Sequence, residues 1–134
     1  MSAHDHLDIS TWPIAKYRMP DQVADDQAEQ HVAAFEALLA RNERFALVFH
    51  GPEMPRDSKH FLKLYSAWFK RTRALQKKLC AGAIRVEPDE RKRRSFLRKA
   101  FAYANGLIIP YPYRIVATVD EAETLARQWL ARPA

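Results

Sequence analysis

Four side chains able to move protons or bind a metal gather around one proline-rich stretch: His50, Glu53, Asp57 and His60. Two imidazoles with a carboxylate between them can form an acid/base or metal site if the loop folds back on itself. The ten-residue interval between the histidines matches no recognised ligand pattern, which argues against a metal centre. Ser58 lies in the same stretch beside Arg56 and Lys59. A phosphoryl group or other anion there would meet two cations at the start of a helix. The plainer reading of Asp57 or Ser58 is a helix N-cap. Thr118, at the end of a later strand, completes a candidate strand-end pocket with His50, Glu53 and His60.

Other reactive types carry less. His4 and His6 fall in residues 1–8, which are expected to be disordered, and His31 falls inside a helix. Cys80 stands between a basic helix end and an apolar strand, where a free thiol is commonly an inert core group. No Gly-x-Ser-x-Gly elbow, phosphate loop or dinucleotide fingerprint is present, and three glycines in the chain make such loops hard to build. The chain is therefore read as non-enzymatic, with no catalytic residue, cofactor or metal assigned.

The strongest polar signal is basic. Residues 1–55 hold 4 Lys/Arg against 9 Asp/Glu, whereas residues 56–99 hold 15 against 4. Lys59, Lys63, Lys70, Arg73 and Lys77 recur at helical spacing on one exposed side. Arg91, Arg93 and Arg94 form a second cluster at the start of the next helix, where positive charge opposes the macrodipole unless an anion relieves it. Such a face suits an acidic protein surface or, as an alternative, a nucleic acid bound in a salt-sensitive way. Two solvated helix faces would give the same pattern.

Those residues must be positioned by alternating elements. Trp12–Arg18 reads as a strand, with Pro13 at its start and Pro20 after it. Asp21, Asp25 and Asp26 precede a helix whose apolar face is Ala28, Val32, Phe35 and Leu39. Phe45–Phe49 is a run typical of a strand buried on both faces. A long helix then reaches to about Lys78, with a buried stripe of Phe61, Leu64, Tyr65, Trp68, Thr72, Leu75 and Leu79. Ala81–Val86 is a third strand, and Pro88 with acidic neighbours opens a third helix that Asn105-Gly106 closes. Tyr113–Ala117 is the fourth strand, and Thr118 with Glu121 has capping-box spacing for the last helix. The apolar connection Ile108–Tyr113 either covers the sheet edge or offers a dimer contact, and the first reading is preferred.

Size and composition agree with one domain over residues 1–134: 48% apolar and 28% charged residues suffice for a core. One cysteine fits a reducing compartment, and neither a signal-like N-terminus nor an apolar run of membrane-spanning length is present. The expectation is a cytoplasmic protein without membrane insertion. The expected fold is α/β, a four-stranded, mostly parallel sheet covered by four helices.

In order and punctuation the chain resembles the STAS superfamily, and within it the SpoIIAA-like bacterial proteins. The resemblance rests on Val32–Leu39 running into Arg44–Phe49, on the loop Met54-Pro55-Arg56-Asp57-Ser58, and on Tyr113–Thr118 followed by Asp120–Trp129. It implies a regulatory module acting through protein contacts near the second helix, with Ser58 in the place of a phosphorylated serine. Lys59 and His60 depart from that motif, which has small residues there. A carrier or small enzyme using the strand-end pocket is the remaining alternative.

Overall fold

The computed structural model describes residues 6–52, 55–95 and 109–132. Among the described residues the sheet has five strands in the order β1-β2-β3-β4-β5: Leu7–Asp8, Ile14–Arg18, Phe45–His50, Cys80–Val86 and Tyr113–Val116. The last four are parallel to one another, and β1 runs antiparallel to β2. The α/β class and mostly parallel sheet are as expected, but the strand count is corrected from four to five. The extra strand comes from residues expected to be disordered. Leu7 and Asp8 pair with Tyr17 and Lys16, because β2 would otherwise present an open edge to solvent.

The helices follow in chain order: α1 (Ala28–Ala40), α2 (Lys59–Arg71), α3 (Arg73–Leu79), a described helical stretch over residues 90–95 (α4), and α5 (Val119–Ala131). Strands β2, β3 and β4 step across the sheet in one direction. Right-handed crossovers then force α1 and the α2–α3 pair onto the same face. Ala15, Tyr17, Phe45, Leu47 and Ala83 point to that face and meet Phe35, Leu38, Trp68 and Leu79. Ile14, Ala46, Val48, Ile84 and Val86 point the other way and are covered by Ala122, Ala126 and Trp129 of α5. The two-residue alternation of the strands thus sorts one apolar pool into two layers. β4 is buried along its whole length, including Arg85, whose guanidinium donates to the Gly51 carbonyl.

Gly82 is required by that second layer. A Cβ at this position would overlap the six-membered ring of Trp129. Only a glycine lets α5 lie so close to β4.

The long second helix is corrected to two. Thr72 leaves helical geometry at φ −101° and ψ 10°, and its hydroxyl donates to the Trp68 carbonyl at 2.8 Å. Gln76 Nε2 donates to Thr72 Oγ1 at 2.8 Å and to the Phe69 carbonyl at 3.3 Å, so the break is held by side-chain hydrogen bonds. The break changes the inward face of α3. Gln76 and Leu79 turn inward, while Leu75, expected in the core, is 38% exposed.

α5 begins as expected: Thr118 Oγ1 accepts from the Glu121 backbone N–H at 3.2 Å. Asp89 does the same for α4, accepting from the N–H groups of Arg91 and Lys92. The expected closure of this helix at Asn105-Gly106 lies outside the described residues. Of the apolar connection, Ile108 lies outside the described residues, Tyr111 and Tyr113 are half-buried against the core layer shared with α1 and α2, and Pro112 is exposed. Among the described residues no helix is long and apolar enough to cross a membrane.

Candidate functional site

The loop before α2 is stitched to the segment after β2. Arg56 N–H donates to the Asp21 carbonyl at 2.7 Å, and Gln22 and Arg56 form a parallel bridge. Ser58 completes the stitch: its hydroxyl donates to the Arg56 carbonyl at 2.7 Å and accepts from the Val23 N–H at 2.8 Å. The side chain occupies the N-cap position of α2 without bonding to that helix. At 1% exposure, Ser58 Oγ has both hydrogen-bonding roles filled by backbone, and a phosphoryl group would have to break both. Arg56 and Lys59 on either side are exposed. Asp57 takes φ +47°, a left-handed conformation that aspartate tolerates better than most residues.

The expected strand-end cluster is divided among different partners. His50 ends β3 opposite Arg18 of β2. Burial first, then the charges of Lys16, Arg18 and Arg85, holds its imidazole below the ordinary histidine range. His60, in the first turn of α2, instead pairs with Glu29 of α1 at 3.2 Å. Thr118 caps α5. Among the described residues, no hydrogen bond or ion pair joins His50, His60 and Thr118 to one another. Glu53 lies outside the described residues.

Of the basic face, Lys59, Lys63 and Lys70 are exposed along one side of α2, and Arg73 and Lys77 are exposed on α3. Residues 58–86 contain eight Lys or Arg and not one Asp or Glu. Nearby acids stand instead on α1, where Glu36 accepts a hydrogen bond from Trp68 Nε1 and Glu29 meets His60. The second cluster is more fully occupied. Arg93 donates to the carbonyls of Glu87 at 2.9 Å and Pro88 at 2.8 Å, and Arg94 pairs with Glu90 at 2.8 Å. Arg91 is exposed. The misplaced charge at this helix start is thus partly absorbed by local carbonyls and one carboxylate.

Cys80 is buried, and its thiol is pushed up to about 12 by that burial. It cannot serve as a thiolate at neutral pH.

A groove of about 890 Å³ opens elsewhere, between the end of β2, the residue before β1 and the first turns of α1. Arg18, Asp21, Asp25 and Asp57 line it together with His6 and His31. His31 is 2% exposed, and its Nδ1 lies 3.3 Å from the Tyr17 hydroxyl. Burial first, then the neighbouring His6, keeps its imidazole below the ordinary range. Sequence reasoning passed over this pair, placing one histidine in a disordered end and the other on an unremarkable helix. A His on the apolar side of α1, three residues after Ala28 and four before Phe35, was the available signal. Among the described residues no group of three or more His, Cys, Asp or Glu side chains is arranged to hold a metal ion.

Comparison with family models, with curated proteins and with solved structures returns no match, so the site rests on its own residues.

Proposed function

We propose that this chain is a non-enzymatic regulatory or ligand-binding module whose working surface is the basic side of α2 and α3, and that its partner presents an acidic protein surface. The observation that carries this reading is the acid-free run from residue 58 to 86, which sets Lys59, Lys63, Lys70 and Lys77 in solvent. Like charges crowded along one helix side repel and are screened by salt, and an acidic partner relieves that repulsion. Acidic complementarity also raises the rate of encounter. The stitched loop at Arg56 and Ser58 supports the reading by holding the start of α2 rigid. A relationship to the SpoIIAA-like STAS proteins belongs to the same proposal, with Ser58 serving as a structural residue rather than an acceptor of phosphate.

A nucleic acid is the second reading, favoured by the same lysines. Among the described residues the aromatic rings of α2 are buried (Phe61, Trp68) or half-buried (Tyr65, Phe69), which favours phosphate contacts over base stacking as the source of affinity. Affinity capture from lysate at physiological salt, with and without nuclease, separates the two. A discrete acidic protein retained after nuclease, and lost with Lys63→Glu/Lys70→Glu, supports the proposal. Retention that vanishes with nuclease assigns the basic side of α2 and α3 to nucleic acid. Capture unchanged by the double substitution overturns both.

A further inference from the structure

Acid and base lie side by side on one face of the molecule. α1 and α2 pack against each other there, with Glu29 meeting His60 at 3.2 Å and Glu36 accepting from Trp68 Nε1. The two contacts advance together along both helices. α1 and α2 therefore run in the same direction, as crossover helices on one face of a parallel sheet must.

Each helix presents a row of one charge sign to solvent. Asp25, Glu29 and Glu36 are exposed, as are Lys59, Lys63 and Lys70. Four and then seven residues separate the members of each row, intervals that keep side chains on one side of a helix. Asp25 stands in the short turn Asp25–Gln27 that leads straight into α1, so the acidic row is continuous with that helix. The exposed positions within the rows are small: Ala33 lies between Glu29 and Glu36, and Ser66 between Lys63 and Lys70. Small side chains there let another helix come close to either row.

We propose that the acidic surface met by the basic side of α2 belongs to a second copy of this chain, in a two-fold dimer whose axis runs between α1 and α2 and parallel to both. The inference rests on the acidic-partner reading above and names that partner. Half a turn about this axis lays the α1 of each copy over the α2 of the other without reversing its direction. The acidic row then faces the basic row, and symmetry makes the contact twice. Glu29 is level with His60, so it falls between Lys59 and Lys63 of the other copy. Glu36, level with Trp68, falls two residues from Lys70. These offsets are less than one helical turn of about 5.4 Å, which a lysine stem covers. An axis across the helices would instead set α1 on α1 and α2 on α2, like charge on like. Charge thus selects one of the two face-to-face arrangements. Exposed ion pairs are individually weak and screened by salt, so the dimer is weak and salt-sensitive.

Sedimentation velocity of the full-length chain over a concentration series, at about 50 mM and about 500 mM salt, is the test. The wild type should dimerise at low salt and dissociate at high salt. Lys63→Glu/Lys70→Glu and Glu29→Lys/Glu36→Lys should each be monomeric alone. Mixed in equal amounts they should form a heterodimer, since each variant keeps the row that the other's reversed row complements. Should Glu36→Lys unfold the chain, Asp25→Lys/Glu29→Lys supplies the acid-reversed arm. Self-association that persists in both reversed variants, or a mixture that stays monomeric, would overturn the dimer. A wild type monomeric at every concentration would overturn it too, and would leave lysate capture to judge the acidic-partner reading.

Discussion

Ser58 Oγ accepts a hydrogen bond from the backbone N–H of Val23, 35 residues earlier in the chain, at 2.8 Å. That one contact joins the start of α2 to the segment leading into α1, in a place where Ser58 and Val23 are both almost wholly buried. It turns a serine that could have been a surface acceptor into part of the frame.

Ser58→Ala should therefore destabilise the fold by about 1–3 kcal/mol, the cost of leaving a buried N–H unsatisfied. Ser58→Asp should cost more, because it adds a buried charge. Urea unfolding of the three proteins checks both, and an aspartate variant as stable as wild type would contradict the structural role.

Gly82 and Trp129 should behave as a coupled pair. Gly82→Ala drives a methyl group into the indole and should cost about 1–3 kcal/mol. Trp129→Leu alone should also destabilise, by removing buried ring area. Combined, they should cost less than the sum, since the smaller side chain makes room for the methyl. A double-mutant cycle measures the coupling, and simple additivity would show that α5 shifts away instead.

His50 should make stability depend on pH. Its folded imidazole holds a proton less readily than the unfolded one, whose ordinary value is 6.5. Above that value both states are neutral and the native state keeps its full stability. As pH falls through 6.5 the unfolded chain takes up the proton first, so stability declines until the lower folded value is passed. Lys16, Arg18 and Arg85 reinforce the effect by repelling the charged ring. Unfolding of wild type and His50→Gln, compared between about pH 7.5 and 5 with chelator present, should show a shallower decline for the variant. Parallel curves would mean that the imidazole is not the group responsible.

Much of the architecture was legible because it depends on local periodicity. The apolar run at Phe45–Phe49 and the Arg85-interrupted one at Ala81–Val86 read as buried strands, and Thr118 with Glu121 marked the start of α5. What was misread turns on long-range pairing. Leu7 and Asp8 carry too little signal to announce a strand, and become one only because β2 offers an edge. Thr72 looked like an ordinary stripe position until its hydroxyl and Gln76 were seen to hold a break.

The candidate sites divide along the same line. The acid-free basic run is a property of composition and helical spacing, so the sequence alone determined that Lys59, Lys63 and Lys70 share a side of α2. Only the tertiary structure decided that Ser58 is buried, that His50 and His60 take different partners, and that His6 and His31 meet. The physical reason is that periodicity specifies which side of an element is apolar. Which polar groups meet across elements depends on strand register and crossover hand, and those are settled when the whole chain packs at once.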